Sequence, residues 1–139
     1  MADPYRLERF VSSQDLIYES VVSELRKARK TGHWMWFIFP QMAGLGRSAE
    51  SRQFAISSLP EAHAYLQHPI LGPRLTECAR ILTGVRGKSA QEIFGPLDAK
   101  KLRSSMTLFM IAAPGEPIFM EVLEKYFNGS PDQATIDLI

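Results

Sequence analysis

The chain has 139 residues, 45% hydrophobic and 22% charged, with a formal net charge of +1; this fits one soluble globular domain with a self-sufficient core and excludes fibrous and disordered classes. The single Cys78 excludes an internal disulfide and a cysteine metal cluster. The chain opens without a basic-then-apolar leader, its longest apolar run is far shorter than the roughly 20 residues of a membrane helix, and it lacks a dense basic face, so the expectation is a cytoplasmic protein with no membrane and no nucleic-acid partner.

Asp3-Pro4 starts a short helical turn, with Leu7 and Phe10 inward and Ser12 and Ser13 as punctuation. Ser13 or Asp15 then caps a helix to about Lys30, whose inner face is Ile17, Val21, Leu25 and Ala28. Its last turn carries Arg26, Lys27, Arg29 and Lys30, the sign the helix dipole favours there, and Gly32 is placed as its C-terminal cap.

The next stretch, Trp34 to Phe39, is wholly apolar and holds both tryptophans. It has no clean period, and no second strand of similar quality exists to pair with it. A lone strand cannot satisfy its backbone, so an extended or irregular buried segment is expected, with Pro40 holding Phe39 out of the helical region.

Beyond it, Ser48 or Ser51 caps a short helix through Phe54 and Ile56. Ser58 caps the next, with Pro60 in its first turn, Ala62, Tyr65 and Leu66 inward, and His68-Pro69 as its end. Leu71 to Thr83 reads as a further helix. Ser89 and Glu92 have capping-box spacing before Ile93 and Phe94. Asp98 opens a longer helix to about Ala113, burying Leu102, Met106 and Phe109. A helix from Pro117 to Asn128 follows, with Phe119, Val122, Leu123, Tyr126 and Phe127 on its apolar face. Asp132 caps a last turn with Ile136 and Ile139 inward. About six or seven helices joined by short Gly/Pro turns make an all-α, single helical domain over 1–139 around a buried aromatic segment.

Several of these strings occur together: His-Trp-Met-Trp-Phe-Ile-Phe-Pro-Gln (His33 to Gln41), Gly-Leu-Gly (Gly44 to Gly46), Glu-Ala-His-Ala-Tyr-Leu-Gln-His-Pro (Glu61 to Pro69), Leu-Gly-Pro-Arg-Leu (Leu71 to Leu75), Ile-Phe-Gly (Ile93 to Gly95) and Lys-Leu-Arg-Ser-Ser-Met-Thr-Leu-Phe (Lys101 to Phe109). In this combination, over nearly its whole length, the chain resembles the domain-of-unknown-function family eighteen-ten. The resemblance implies a mainly helical single domain and no reaction. Some members carry the automatic label calpastatin, but nothing here looks like a disordered inhibitor repeat.

Candidate chemistry gathers around Gly44-Leu45-Gly46-Arg47-Ser48. Gly44 and Gly46 let the backbone come close, spare N–H groups before a helix favour an anion, and Arg47 adds a charge-assisted bond. The third glycine and preceding strand of a dinucleotide fingerprint are missing, and the plainer reading is a tight turn with Ser48 as an ordinary cap. His33, Trp36 and Gln41 flank the aromatic stretch; Trp36 stacks a ligand ring and Gln41 reads a polar edge, or the tryptophans are core. Arg74 supplies a second charge and Ser105 an orienting hydroxyl. Lys101 and Ser105, four apart, share a helix face as a Ser–Lys pair would, although hydroxyls in mid-helix more often bond back to the helix. His63 and His68, five apart, do not share a face, so no metal is expected; no cofactor is expected either.

Fifteen of the sixteen Lys and Arg lie at or before Arg103, and five acids follow it against Lys125 alone. That asymmetry fits either a bound anion or pairing between the two ends. The first reading is therefore a small anionic metabolite, nucleotide or phosphate-like, bound near the glycine turn, with enzymatic activity left open. The second is a non-catalytic interaction protein, the basic front and acidic tail pairing across a homodimer or with a partner.

Overall fold

The computed structural model describes residues 2–139, and among them ten helices follow one another with no strand. They are α1 (Glu8–Asp15), α2 (Tyr18–Arg26), α3 (Met35–Ile38), α4 (Ala49–Gln53), α5 (Leu59–Gln67), α6 (Leu71–Gly84), α7 (Ala90–Phe94), α8 (Pro96–Ala112), α9 (Ile118–Phe127) and α10 (Gln133–Leu138). The all-α class is as read. The larger number of helices comes from short ones: α3, α4, α7 and α10 have six residues or fewer.

The centre is α8, against which α5, α7, α9 and α10 all pack. Its buried residues include the predicted Leu102, Met106 and Phe109, and also Ala99, Ser104, Ser105, Thr107 and Leu108. A helix buried on so many sides needs its polar groups satisfied. Thr107 Oγ1 donates to Arg103 O and accepts from Asp132 N, while Ser104 Oγ donates to Lys100 O and to Asp132 Oδ2. Asp132 also caps α10, accepting from the amide and hydroxyl of Thr135. The last helix is thus docked through polar groups. Thr135 is its buried residue, whereas Ile136 and Ile139 face outward, against the expectation of an apolar seam.

Local capping follows the sequence closely. Ser58 Oγ accepts from Glu61 N at the start of α5, and Ser89 with Glu92 forms the full capping box of α7. His68 Nδ1 accepts from the amides of Ile70 and Leu71, so the residue that ends α5 also starts α6. Gly95, at φ 83°, joins α7 to α8 with only itself between them, a conformation open to glycine at no steric cost.

Three boundaries differ from the sequence reading. Ser12 and Ser13 lie inside α1, Ser12 Oγ bonding back to Glu8 O; the cap is Asp3, whose carboxylate accepts from the amides of Leu7 and Glu8. The N–H groups of Glu8 and Leu7 hold that carboxyl below its ordinary value. The second helix ends at Arg26, and the residue that closes it is Ala28 instead of Gly32. Ala28 takes φ 54°, its amide donates to Leu25 O, and Arg29 N donates to Glu24 O, the bonds of a Schellman ending with alanine where glycine is usual. Finally, the apolar run is a single helical turn, α3. The bonds Phe37 N to Trp34 O, Ile38 N to Trp34 O and Phe39 N to Met35 O satisfy locally what a lone strand would have left open. Phe39, at φ −123° and ψ 72° before Pro40, does leave the helical region as expected.

Glu24 holds the loop between α2 and α3 from below. Its Oε1 accepts from Thr31 N at 2.6 Å, Gly32 N at 2.8 Å and Trp34 Nε1 at 3.1 Å. Burial pushes its carboxyl up, but the N–H donors of Gly32, Thr31 and Trp34 outweigh it and hold the value below the ordinary 4.5. A carboxyl lowered on folding stabilises above its unfolded value and loses that contribution as the pH falls through the folded one. Urea denaturation followed from pH 7 to pH 3 will therefore show stability falling below about 4.5 in the parent chain, and a shallower fall in Glu24→Gln.

The α5–α6 corner generates a second expectation. A Cβ on Gly72 would stand 2.1 Å from the carbonyl oxygen of Leu66, whereas one on Gly84 would meet nothing within 4 Å. Gly72→Ala will lower stability by about 1–3 kcal/mol or more, and Gly84→Ala will leave it unchanged or raise it by about 0.4–1 kcal/mol; the two denaturation midpoints compare them directly.

Candidate functional site

The glycine turn lies in a loop that leaves the core at Met42 and returns at Ile56. One parallel bridge closes the loop at its neck: Ile56 N donates to Gln41 O at 2.9 Å and Ala43 N to Ile56 O at 2.8 Å. Inside it, Ser48 Oγ accepts from Ser51 N and caps α4, as read from the sequence. Gly46 is needed for close approach, since a Cβ there would come within 2.3 Å of Ser51 Cβ. From Gly46 to Glu50 no backbone N–H finds an acceptor among the described residues, so the expected spare donors are present.

The loop is fastened by Arg9, from α1. Its Nε donates to Gln53 O at 2.8 Å and its Nη2 to Ala55 O at 2.9 Å. Nη1 donates to Tyr5 O and to Arg6 O, and Nη2 also reaches Glu61 Oε2 at 3.0 Å. Glu61, on α5, is nearly fully buried and accepts in turn from the amide and hydroxyl of Ser57. A guanidinium has five N–H donors, and all five are engaged.

Beside this clamp lies a cleft of about 310 Å³ lined by the N-terminal arm (Pro4, Tyr5, Arg6, Arg9), the loop (Ala43, Arg52, Gln53, Ala55) and Ser57 with Glu61. Three guanidiniums face one carboxylate there, three minus one leaving a charge of +2. The side chains of Arg6 and Arg52 make no hydrogen bond or ion pair with the described residues. Arg6 also has φ 52°; a non-glycine residue in the left-handed region is uncommon and costly. A second cleft, of about 240 Å³, adjoins the first through shared walls at Ala43, Arg52 and Ala55, and is otherwise lined by Gln41, Met42, Gly44, Gly46 and Ser51.

The residues singled out in the sequence fall in several places. Gln41, Gly44 and Gly46 come together in the second cleft, and Arg47 and Ser48 are exposed on the same loop without lining either cavity. Arg74, on α6, is elsewhere: it pairs with Asp15 at 2.8 Å, lies over the Tyr18 ring and reaches Gln14 Oε1. His33 is exposed in the α2–α3 loop. Trp36 is half-buried in α3 beneath Lys101 Nζ, 5.0 Å from its ring centre, and its indole N–H is buried without a partner. Ser105 is wholly buried in α8 and its hydroxyl also lacks a partner. Lys101 pairs with Asp98. A Ser–Lys nucleophile at Ser105 is thus closed to a substrate. Cys78 is wholly buried in α6, and burial pushes its thiol up to about 12. Among the described residues no group of three or more His, Cys, Asp or Glu is placed to hold a metal ion, and no helix is long and apolar enough to cross a membrane.

Residues 4–139 match the family described as "Protein of unknown function (DUF1810)". The chain belongs to the DUF1810 family. A crystal structure of a conserved hypothetical protein, Rv1873 from Mycobacterium tuberculosis, is similar to this DUF1810 chain at 53% identity and a TM-score of 0.97, over 99% of this chain and 98% of that one. No curated protein matches.

Sequence reasoning missed Arg6, Arg9, Arg52 and Glu61. One local signal was available: Ser58 and Glu61 have capping-box spacing, which marks Glu61 as the first-turn acid of α5. Nothing local connects it to Arg9, 52 residues away. The clamp has a measurable weight. In Arg9→Met, Glu61 stays buried without its cation, and urea denaturation will show a loss of about 3–5 kcal/mol. The double variant Arg9→Met/Glu61→Gln will recover part of that loss, because the uncompensated charge is gone.

Proposed function

We propose that this chain binds a small phosphate-like anion in the arginine cleft between its N-terminal arm and the 42–56 loop. The observation that carries the reading is the excess of charge: Arg6, Arg9 and Arg52 line the cavity against Glu61 alone, and Glu61 is already paired with Arg9. Arg9 has no donor left, so it contributes charge and shape. Arg6 and Arg52 have all their donors free, and a guanidinium fork matches the oxygens of a phosphate or carboxylate. Gly46, whose amide finds no acceptor, lines the neighbouring cavity, and its N–H suits the same charge.

The interaction-protein reading would draw on a contiguous exposed apolar patch. Of the exposed large apolar side chains, Leu16 lies at the α1–α2 corner and Leu97 in the first turn of α8, while Ile136, Leu138 and Ile139 gather on α10 and the residue that ends it. Among the residues that line the cleft, Ser57 donates its hydroxyl to Glu61, which Arg9 already pairs, and the reading is one of binding.

Titration calorimetry with inorganic phosphate tests it. Phosphate will bind the parent chain, and Arg6→Ala and Arg52→Ala will each weaken binding by about tenfold or more, the loss of one hydrogen bond to a charged group. Arg47→Ala and Arg74→Ala, which line neither cleft, will bind as the parent does. Equal effects of all four variants, or no binding by the parent chain, overturns the reading.

A further inference from the structure

The arginine cleft has a neighbour on the loop side. Beyond Arg52 it adjoins the second cavity, the two sharing Ala43, Arg52 and Ala55 as walls. Arg52 therefore stands between a strongly charged compartment and one that holds no charged group besides Arg52 itself. The lining of the second compartment is specific in chemistry. Gln41 brings an amide, Ser51 a hydroxyl and Gly44 with Gly46 bare backbone, with Met42 and the two alanines as the apolar remainder. No aromatic ring lines it, so a nucleobase would find no stacking surface there. Trp36, the aromatic the sequence had offered for stacking, contributes to neither compartment.

From this juxtaposition we infer that the ligand is a sugar phosphate: its phosphoryl group lies between Arg6 and Arg52, and its uncharged hydroxylated body occupies the compartment of Gln41, Gly44, Gly46 and Ser51. The inference rests on the anion-binding reading above and specifies the molecule that carries the anion. The charges balance, since a phosphomonoester at neutral pH carries about −1.5 to −2 and the arginine cleft carries +2. A carboxylate would leave half of that charge unmatched. The polarity balances as well. Amide, hydroxyl and backbone groups donate to and accept from sugar hydroxyls, and a body without charge avoids desolvating a second ion. Gly46 matters here by the side chain it lacks. A Cβ on Gly46 would run into Ser51, a lining residue of this compartment, whereas one on Gly44 would meet Leu138 of α10.

The test compares three probes on the full chain by calorimetry: inorganic phosphate, ribose and ribose 5-phosphate. Ribose 5-phosphate will bind about tenfold more tightly than phosphate or better, a difference of one decade in Kd, and ribose alone will bind weakly or not at all. Gln41→Trp fills the second compartment while leaving the Gln41 carbonyl to Ile56 and both arginines untouched. In that variant the affinity for ribose 5-phosphate will fall to that for phosphate, and phosphate itself, which reports that the fold and the arginine cleft are intact, will bind as before. If ribose 5-phosphate binds the parent chain no better than phosphate, the sugar-phosphate inference is overturned and the anion reading stands. If the preference survives Gln41→Trp, the body lies elsewhere and the inference is overturned. If neither phosphate nor its ester binds, both readings fail together. The comparison on the parent chain decides the matter even where Gln41→Trp does not fold.

Discussion

One guanidinium joins the parts of this fold that the chain's helices would not join by themselves. Arg9 gathers four backbone carbonyls from two distant segments, Tyr5 and Arg6 on one side and Gln53 and Ala55 on the other, and sets them against the buried carboxylate of Glu61. Its plane also lies 4.5 Å over the Phe10 ring, so the charged head rests on the core it helps to close. Lysine at this position would bring charge and three donors on one atom, and would not span the five acceptors. The N-terminal arm, the 42–56 loop and α5 meet in a fixed relation because of this one side chain, and the arginine cleft exists only where they meet.

The rest of the molecule supports that junction from a helical core of a plainer kind. Phe54 carries the loop inward, its ring tilted against Phe10 at 5.7 Å and against Phe37 at 5.3 Å. Tyr65 packs edge-on to Phe10 and leads to Phe109 of α8 and on to Phe119 of α9. The aromatic stretch that dominates the sequence belongs to this packing: Trp34 is buried and tied to Glu24, while Trp36 closes the surface beneath Lys101. Its role is to be covered, and what covers it is the scaffold on which the loop stands.

How much of this the sequence disclosed depends on the span of the interaction concerned. Caps are bonds between residues three apart, so Ser48, Ser58, the Ser89–Glu92 box and Asp132 could all be read directly. Periodicity gave the inner face of α8 because Leu102, Met106 and Phe109 recur at helical spacing. It failed at Trp34 to Phe39, where every position is apolar and a single turn leaves no period to detect. It failed again at α10, where the polar network around Asp132, spanning 25 to 28 residues to α8, decided which side faces in. The glycine turn was legible as a place where backbone is bare. The arginines that give its neighbourhood a charge were not, since Arg6 and Arg9 are remote in sequence from Arg52 and only the fold brings them to one cavity.

The slenderness of the loop's neck has a consequence for motion. The bridge at Met42 and Ile56, Arg9 and the buried ring of Phe54 hold the loop against the helical body, and from Gly46 to Glu50 its amides are bonded to nothing in the fold. Opening such a segment breaks few interactions, so it proceeds by local fluctuation and needs no global unfolding. The chain is therefore mechanically divided, with a slow-exchanging helical body and a fast-exchanging rim. A molecule held at the rim would slow its exchange, and would do so without altering the body beneath.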